Sequence, residues 1–256
     1  MACLCGLQCG SCLWHPKNAN GCFIANKSYS IQSENDFKIQ GTVLEEVNFQ
    51  TDLGIRFTSS LCFKEHINII CNKAKSVIFL INKRFITKDP HLLLLAYKSY
   101  VLPILTYCSP IWSPYKIGEI QTLEKVQKAF TKKLKGYEML PYGERLRMGG
   151  LKSLELLRIY ADLILCYKIL HNLVALDKEK MFVFENYDGT RGHGLKLRAV
   201  RPHTEFGRHS YGYRTVALWN QLSPNTVWAP TIGTFKYFLK QECFSEFLTQ
   251  KYDIPN

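Results

Sequence analysis

The sequence predicts a mainly α-helical chain of the α+β class, with a small β-hairpin or sheet near its start, a helical bundle after it, and a helical C-terminal extension. Three features lead there. Phe63, Ile67, Ile70, Ala74, Val77, Ile78 and Ile81 recur at spacings of three and four, so they share one face of a helix. Residues 88–136 hold an apolar run followed by a basic amphipathic run. Residues 37–61 instead show short alternating stretches punctuated by Gly41 and Gly54, which is the signature of strands.

Residues 1–36 have no hydrophobic period, yet Cys3, Cys5, Cys9, Cys12 and Cys22 crowd into them. Cys9 and Cys12 have zinc-ligand spacing, and His15 or Cys22 would complete four ligands, but no second cysteine pair stands at a matching distance. The competing readings are a segment without regular structure and surface thiols open to palmitoylation. In residues 37–61, Phe37-Lys38-Ile39 alternates, and Val43-Leu44 and Val47-Phe49 follow. Asp52-Leu53-Gly54-Ile55-Arg56-Phe57 reads as one strand whose glycine marks a bend or a close approach. On the next helix Lys64, Lys73, Lys75, Lys83 and Arg84 lie mostly off the apolar face, and His66 beside that face reads as a hydrogen-bonded core histidine.

Asp89 is a suitable N-cap and Pro90 a suitable first helical residue for the apolar run. Leu92, Leu93, Leu95, Tyr97 and Val101 make that helix apolar nearly all round, as suits a central core helix. Pro103 should kink or end it, and residues 110–114 (PIWSP) read as a rigid extended turn. On the basic helix that follows, Ile120, Leu123, Val126, Phe130 and Leu134 share one face. Lys125, Lys128, Lys132 and Lys135 keep the same period on another, with Lys133 beside them, and Gly136 reads as the C′ residue. Pro141 opens a further helix broken at Gly149 and Gly150, residues 151–173 form a long buried helix, and residues 188–202 a loop. Residues 211–222 and 232–248 close the chain as two helices separated by Pro224 and Pro230.

The net charge of +12 is unevenly placed. Residues 51–150 carry sixteen Lys/Arg against seven Asp/Glu, whereas residues 1–50 carry three against four and residues 151–256 fourteen against ten. A field focused on the central third favours a polyanionic partner, such as nucleic acid or an anionic membrane, over the competing reading of solvated lysines that keep the protein soluble. No export signal is visible, and the most apolar run, residues 92–107, is interrupted by Lys98 and Pro103 and falls short of the ~20 residues of a membrane span. An intracellular location, nucleus or cytoplasm, is therefore expected, with the ten cysteines as thiols and no membrane partner.

Catalytic signatures are missing. Tyr160-Ala161-Asp162 superficially suggests a polymerase metal loop, but Leu163 follows and the tripeptide falls inside a helix. Two-metal chemistry needs clustered carboxylates holding cations ~3.5–4 Å apart. There is no P-loop, dinucleotide-binding glycine fingerprint, His-Glu-x-x-His or Gly-x-Ser-x-Gly. His193, His203 and His209 share a region with Arg191, Arg198, Arg201 and Arg208, a mixture suited to phosphate contact or to a structural loop. The lysine stripe is the strongest functional feature, since lysines contact phosphates without reading sequence.

An ordered series of short words adds a resemblance. It runs through Asp52-Leu53-Gly54-Ile55, Phe63-x-x-His66-Ile67, Leu94-x-x-Tyr97-Lys98-Ser99 and residues 103–114 (PILTYCSPIWSP). It continues through Leu123-Glu124-Lys125-Val126-Gln127, Tyr142-x-Glu144-Arg145-Leu146, Ser153-Leu154-Glu155 and residues 162–171 (DLILCYKILH). Thr190-Arg191-Gly192-His193, Trp219-Asn220-x-Leu222 and Phe235-Lys236 complete it. From about residue 37 to 240, this order resembles the C-terminal part of reverse transcriptases of LINE-type (non-LTR) retrotransposons, in the jockey-like and chicken-repeat group. Gly143, Gly149 and Gly194 depart from that pattern.

The resemblance implies a primer-grip region at Leu53 and Gly54, a thumb-like helical domain completing residues 37–140, and a helical extension over residues 141–256. Residues 1–36 match poorly. The catalytic palm and its magnesium would lie upstream of this chain, as would the endonuclease, so the chain alone is expected to hold no cofactor and to be inactive. An upstream polymerase domain is its implied companion if the reading frame extends. The expected role is binding an RNA/DNA template–primer duplex, without sequence specificity, through Lys125, Lys128, Lys132, Lys133 and Lys135. The alternative is a domesticated helical protein-interaction module that binds no nucleic acid.

Overall fold

The computed structural model describes residues 47–185, 193–250 and 252, together with the backbone of short strands before residue 47. The cysteine constellation of residues 3–22 and the Thr190-Arg191-Gly192 word lie outside the residues whose side chains are described. The chain is mainly helical, and it divides into two compact units, Met1–Asn72 and Lys73–Asn256.

In the first unit β1 (Cys12–Leu13) pairs antiparallel with β2 (Cys22–Ala25). Strands β3 (Lys38–Ile39) and β4 (Thr42–Val43) form a second antiparallel pair, and β5 (Glu45–Glu46) runs parallel to β2. The best-defined sheet is the hairpin of β6 (Phe49–Asp52) and β7 (Ile55–Thr58), in register from Phe49 opposite Thr58 to Asp52 opposite Ile55. Residues 52–57 are therefore two strands rather than the single strand expected. Leu53 and Gly54 form the turn, at φ of 47° and 82°. Two positive φ values match the right-handed twist of the flanking strands, and glycine meets that demand without strain whereas leucine does not.

Helix α1 (Lys64–Arg84) follows the predicted period, burying Ile67, Ile70, Cys71, Ala74, Ile78 and Ile81. Glu65 in its first turn and Lys83 and Arg84 in its last complement the helix dipole. Arg56 on β7 stacks its guanidinium 3.6 Å from the Phe49 ring centroid and pairs with Glu65 at 3.2 Å. His66 is buried, and its Nδ1 accepts the Arg56 backbone N–H.

After α1 comes α2 (Pro90–Ala96), whose N-cap Asp89 accepts the His91 N–H at 3.1 Å. The expectation of a helix buried all round fails, because Leu92, Leu95 and Tyr100 face solvent while Leu93, Leu94, Ala96, Tyr97 and Val101 are buried. Nor does Pro103 end the helix. Residues Tyr97–Val101 widen into a π-helical turn, in which the Leu102 N–H reaches back to the Tyr97 carbonyl, and α3 (Leu102–Thr106) continues. The wider turn stands just ahead of the residue that cannot donate. Residues 110–114 are likewise not an extended turn. Pro110 sits near the start of α4 (Ser109–Trp112), entered through Cys108 at φ 49°, and the buried Trp112 donates its Nε1–H to the Tyr107 carbonyl at 2.8 Å.

Helix α5 (Ile117–Lys132) ends four residues before Gly136. Gly136, at φ 83°, serves a later turn instead of the expected C′ position. Next come α6 (Tyr142–Gly149), closed by Gly150 at φ 55°, and α7 (Leu154–Leu170), capped by the Ser153 hydroxyl. Short α8 (Lys178–Met181) leads to an antiparallel pair, β8 (Val183–Phe184) and β9 (Leu197–Arg198), the second within residues where a loop was expected. The Asn220 carboxamide accepts the Leu197 N–H at 2.9 Å and donates to the Leu197 carbonyl at 2.7 Å. Helices α9 (Glu205–His209), α10 (Tyr211–Gln221), α11 (Pro224–Val227) and α12 (Ile232–Leu239) complete the fold. The last is shorter than the expected helix over residues 232–248. Just beyond it Glu242 leaves helical register to accept the Ser223 N–H and the Ser223 and Thr226 hydroxyls at the start of α11.

Helix α7 is the hub, packing against α3, α4, α5, α10 and α12. Leu163, Cys166, Tyr167 and Ile169 are buried among Trp219 and Leu222 of the α10 region and Phe235 and Leu239 of α12. The buried Asp162 carboxylate takes Arg214 of α10 in two contacts, Nε to Oδ2 at 2.8 Å and Nη2 to Oδ1 at 3.0 Å. The same guanidinium donates to the Pro110 carbonyl of α4 at 2.6 Å and to the His209 carbonyl.

Two outcomes test these contacts. Arg214→Ala strands the Asp162 charge and should cost about 3–5 kcal/mol in urea unfolding. Burial lowers the His66 pKa from 6.5 to about 4, so the folded state binds fewer protons there than the unfolded state. Stability from this group is complete above pH 6.5 and falls as pH drops toward 4. His66→Asn, which keeps an acceptor near the Arg56 N–H but does not titrate, should flatten the decline of the unfolding midpoint across that window.

Candidate nucleic-acid interface

Helix α5 meets the rest of its unit through two kinds of side chain. Ile120, Leu123, Val126 and Phe130 are buried as the spacing predicts. Glu124, Gln127 and Thr131, at steps of three and four, are buried beside them. The Tyr142 hydroxyl donates to Glu124 Oε1 at 2.5 Å, and the Leu154 N–H donates to Oε2 at 3.0 Å. Gln127 accepts the Tyr97 hydroxyl at 3.0 Å, and its amide donates to the Lys152 carbonyl at 2.9 Å and to the Tyr142 oxygen at 3.1 Å. Arg145 of α6 donates to the Lys128 carbonyl at 2.9 Å and to the Thr131 hydroxyl at 3.2 Å. The Tyr97 ring stacks on Phe130 at 4.5 Å. Four elements thus fix one face of α5 at named atoms.

Burial dominates the electrostatics of this seam. It pushes the Glu124 carboxyl up, against the opposing pull of the Tyr142 hydrogen bond and the Arg158 guanidinium. Burial also raises the Tyr97 and Tyr142 phenols, with the Glu124 charge adding to it, so both stay protonated donors. Arg158 on α7 is buried, with Glu124, Glu155 and Asp162 countering the cost of its charge, and its two terminal nitrogens make no hydrogen bond among the described residues.

The opposite face of α5 carries the lysines. Lys125 and Lys132 are exposed on the helix, and Lys133 and Lys135 are exposed on the turn after it. Lys128 is different. It is half-buried, with its ammonium 4.6 Å from the Tyr252 ring centroid and 5.1 Å from that of Tyr142. Four of the five lysines therefore point to solvent, and the middle one rests on aromatic faces. In the other unit, Leu53 at the hairpin tip is 59% exposed, and Gly54 beside it is exposed too.

The histidine–arginine region does not assemble as one surface. His193 is buried, with Nε2 3.2 Å from the Trp219 carbonyl, and burial lowers its pKa. His209 stacks on Tyr115 at 3.7 Å with nearly parallel rings, while His203, Arg198, Arg201 and Arg208 are exposed. Asp162 lies within a helix, as expected, and its carboxylate is committed to Arg214. Among the described residues, no group of three His, Cys, Asp or Glu side chains is placed to hold a metal ion. No described helix is long and apolar enough to cross a membrane. Compared with protein-family models, curated proteins and solved structures, the chain matches none.

Sequence reasoning missed the burial of Glu124, Gln127 and Thr131 on the basic helix. The available signal was their own period of three and four, next to the apolar one. Tyr142→Phe removes the donor to Glu124 and should cost about 1–3 kcal/mol. Lys125→Gln, on the exposed face, should stay within about 0.5 kcal/mol in the same urea titration.

Proposed function

We propose that this chain carries the primer-grip hairpin, thumb and C-terminal extension of a LINE-type RNA-directed DNA polymerase, and that it holds the template–primer duplex by its phosphates. The observation that carries the reading is the set of exposed ammonium groups at Lys125 and Lys132 of α5 and at Lys133 and Lys135 on the turn after it, the helix being fixed on its other face by hydrogen bonds. Rigid presentation matters because a phosphate track has a fixed spacing, while lysine contacts to it carry no sequence information. The ordered series of sequence words supplies the family. On this reading the parent reaction is DNA synthesis on an RNA template, the magnesium belongs to a palm outside this chain, and the work is done in the nucleus or cytoplasm. Leu53 and Gly54, on a tight exposed turn, are the primer-facing residues of the hairpin.

A second reading, a helical protein-interaction module, draws on exposed apolar side chains at Phe79, Leu80 and Ile86, the last 95% exposed. One titration separates the two. A primer–template duplex should bind the purified chain with log K falling against log salt at a slope of about −3 to −4, from ~0.9 per neutralised phosphate. Changing Lys132, Lys133 and Lys135 together to Glu should weaken binding at least about tenfold at moderate salt. No binding by the unaltered chain at low salt would reject the polymerase reading and leave the interaction module.

A further inference from the structure

Residues 240–250 contain turns and bends but no helix or strand, and their placement depends on a few side chains. Phe244 is buried edge-on to Tyr160 at 6.0 Å. Farther along, the consecutive N–H groups of Thr249 and Gln250 donate to the two carboxylate oxygens of Glu155, at 3.0 and 3.3 Å. Tyr252 then meets the Tyr142 ring edge-on at 4.8 Å and lies against the Lys128 ammonium. Its hydroxyl donates to the Gln250 side chain, and its phenol pKa is pushed up to about 12 by burial and the Glu124 and Glu155 charges. Thus the only half-buried lysine of the stripe is the one this segment covers.

We propose that Thr249, Gln250 and Tyr252 act as a strap that withholds Lys128 from the phosphate-binding face, and that a bound duplex and the docked strap compete. The inference rests on the nucleic-acid reading above. An ammonium held against two rings is not free to reach a phosphate, so docking removes the middle contact of the row. Release restores it, and the released state is provided for. Glu155 stands three residues before Arg158 on α7, on the same side of the helix. The Arg158 terminal nitrogens make no hydrogen bond among the described residues. The Glu155 charge already offsets that of Arg158 while the strap is docked, so when the strap amides leave, the carboxylate keeps a cation beside it whose N–H groups can replace them. The docked and released strap are then two states, and a ligand that prefers one shifts the balance. By linkage, whatever opens the strap tightens duplex binding, and duplex binding opens the strap.

The test uses the full chain and a short primer–template duplex. In the wild type, saturating duplex should raise hydrogen exchange at the Thr249 and Gln250 amides. Tyr252→Ala should bind the duplex about three- to tenfold more tightly, with the salt slope steeper by about one contact. Adding Lys128→Gln to Tyr252→Ala should return affinity and slope to wild-type values, whereas Lys128→Gln alone should change them little. Duplex binding with unchanged exchange at residues 249 and 250 overturns the strap, as does an affinity loss from Lys128→Gln alone equal to that from Lys132→Gln. Binding by Tyr252→Ala but not by the wild type supports it in its strongest form. No binding by either protein rejects the nucleic-acid reading together with the strap, and is distinguished by failure of the exposed-lysine titration as well.

Discussion

The bidentate pair of Asp162 and Arg214 ties together three helices that share little sequence proximity. Asp162 is on α7, Arg214 on α10, and the guanidinium also holds the Pro110 carbonyl of α4. A charged pair out of water stabilises only when its remaining donors are used, and Arg214 spends them on main-chain oxygens at Pro110 and His209. Around it α7 buries Glu155, Arg158 and Asp162 in succession, so the most heavily buried helix of the chain is also one with charge at its centre. Aromatic packing of Tyr167, Trp219 and Phe235 supplies the apolar share of the same junction. The pair selects one arrangement of the helices, and the apolar area drives them together.

The lysine surface depends on that junction at one remove. Helix α5 is joined to α7 by the Leu154 N–H on Glu124, to α6 by Tyr142 and Arg145, and to the π-helical segment by Tyr97. Every one of these bonds leaves from the buried face and none uses a lysine side chain. The exposed face can therefore change its charge without disturbing its support. Exposed positive charge and structural support reside on different faces of one helix.

Legibility in the sequence followed the range of the interactions. Helix α1 and the apolar face of α5 were readable because spacings of three and four are local, and α7 because it is long. The apolar run at residues 92–95 misled, since leucine content does not say which side of a helix is covered. Leu95 is 55% exposed whereas Leu94 is buried. Glu124, Gln127 and Asp162 were unreadable as buried groups because their partners lie 15 to 52 residues away. The β8–β9 pair, at two residues a strand, is below the length at which alternation is visible. Lys128 has the same sequence period as its neighbours and differs because the Tyr142 and Tyr252 rings, both distant in sequence, lie against its ammonium.

Asn220 carries a consequence beyond the site. Its carboxamide satisfies both backbone polar groups of Leu197, as a third strand would. An open sheet margin invites pairing with a second molecule, the first step toward aggregation. Here one side chain from α10 plugs that margin at the residue where β9 is buried, and a two-stranded ribbon too short to protect itself is closed from within its own chain. The margin of this ribbon at Leu197 is therefore closed by a single amide.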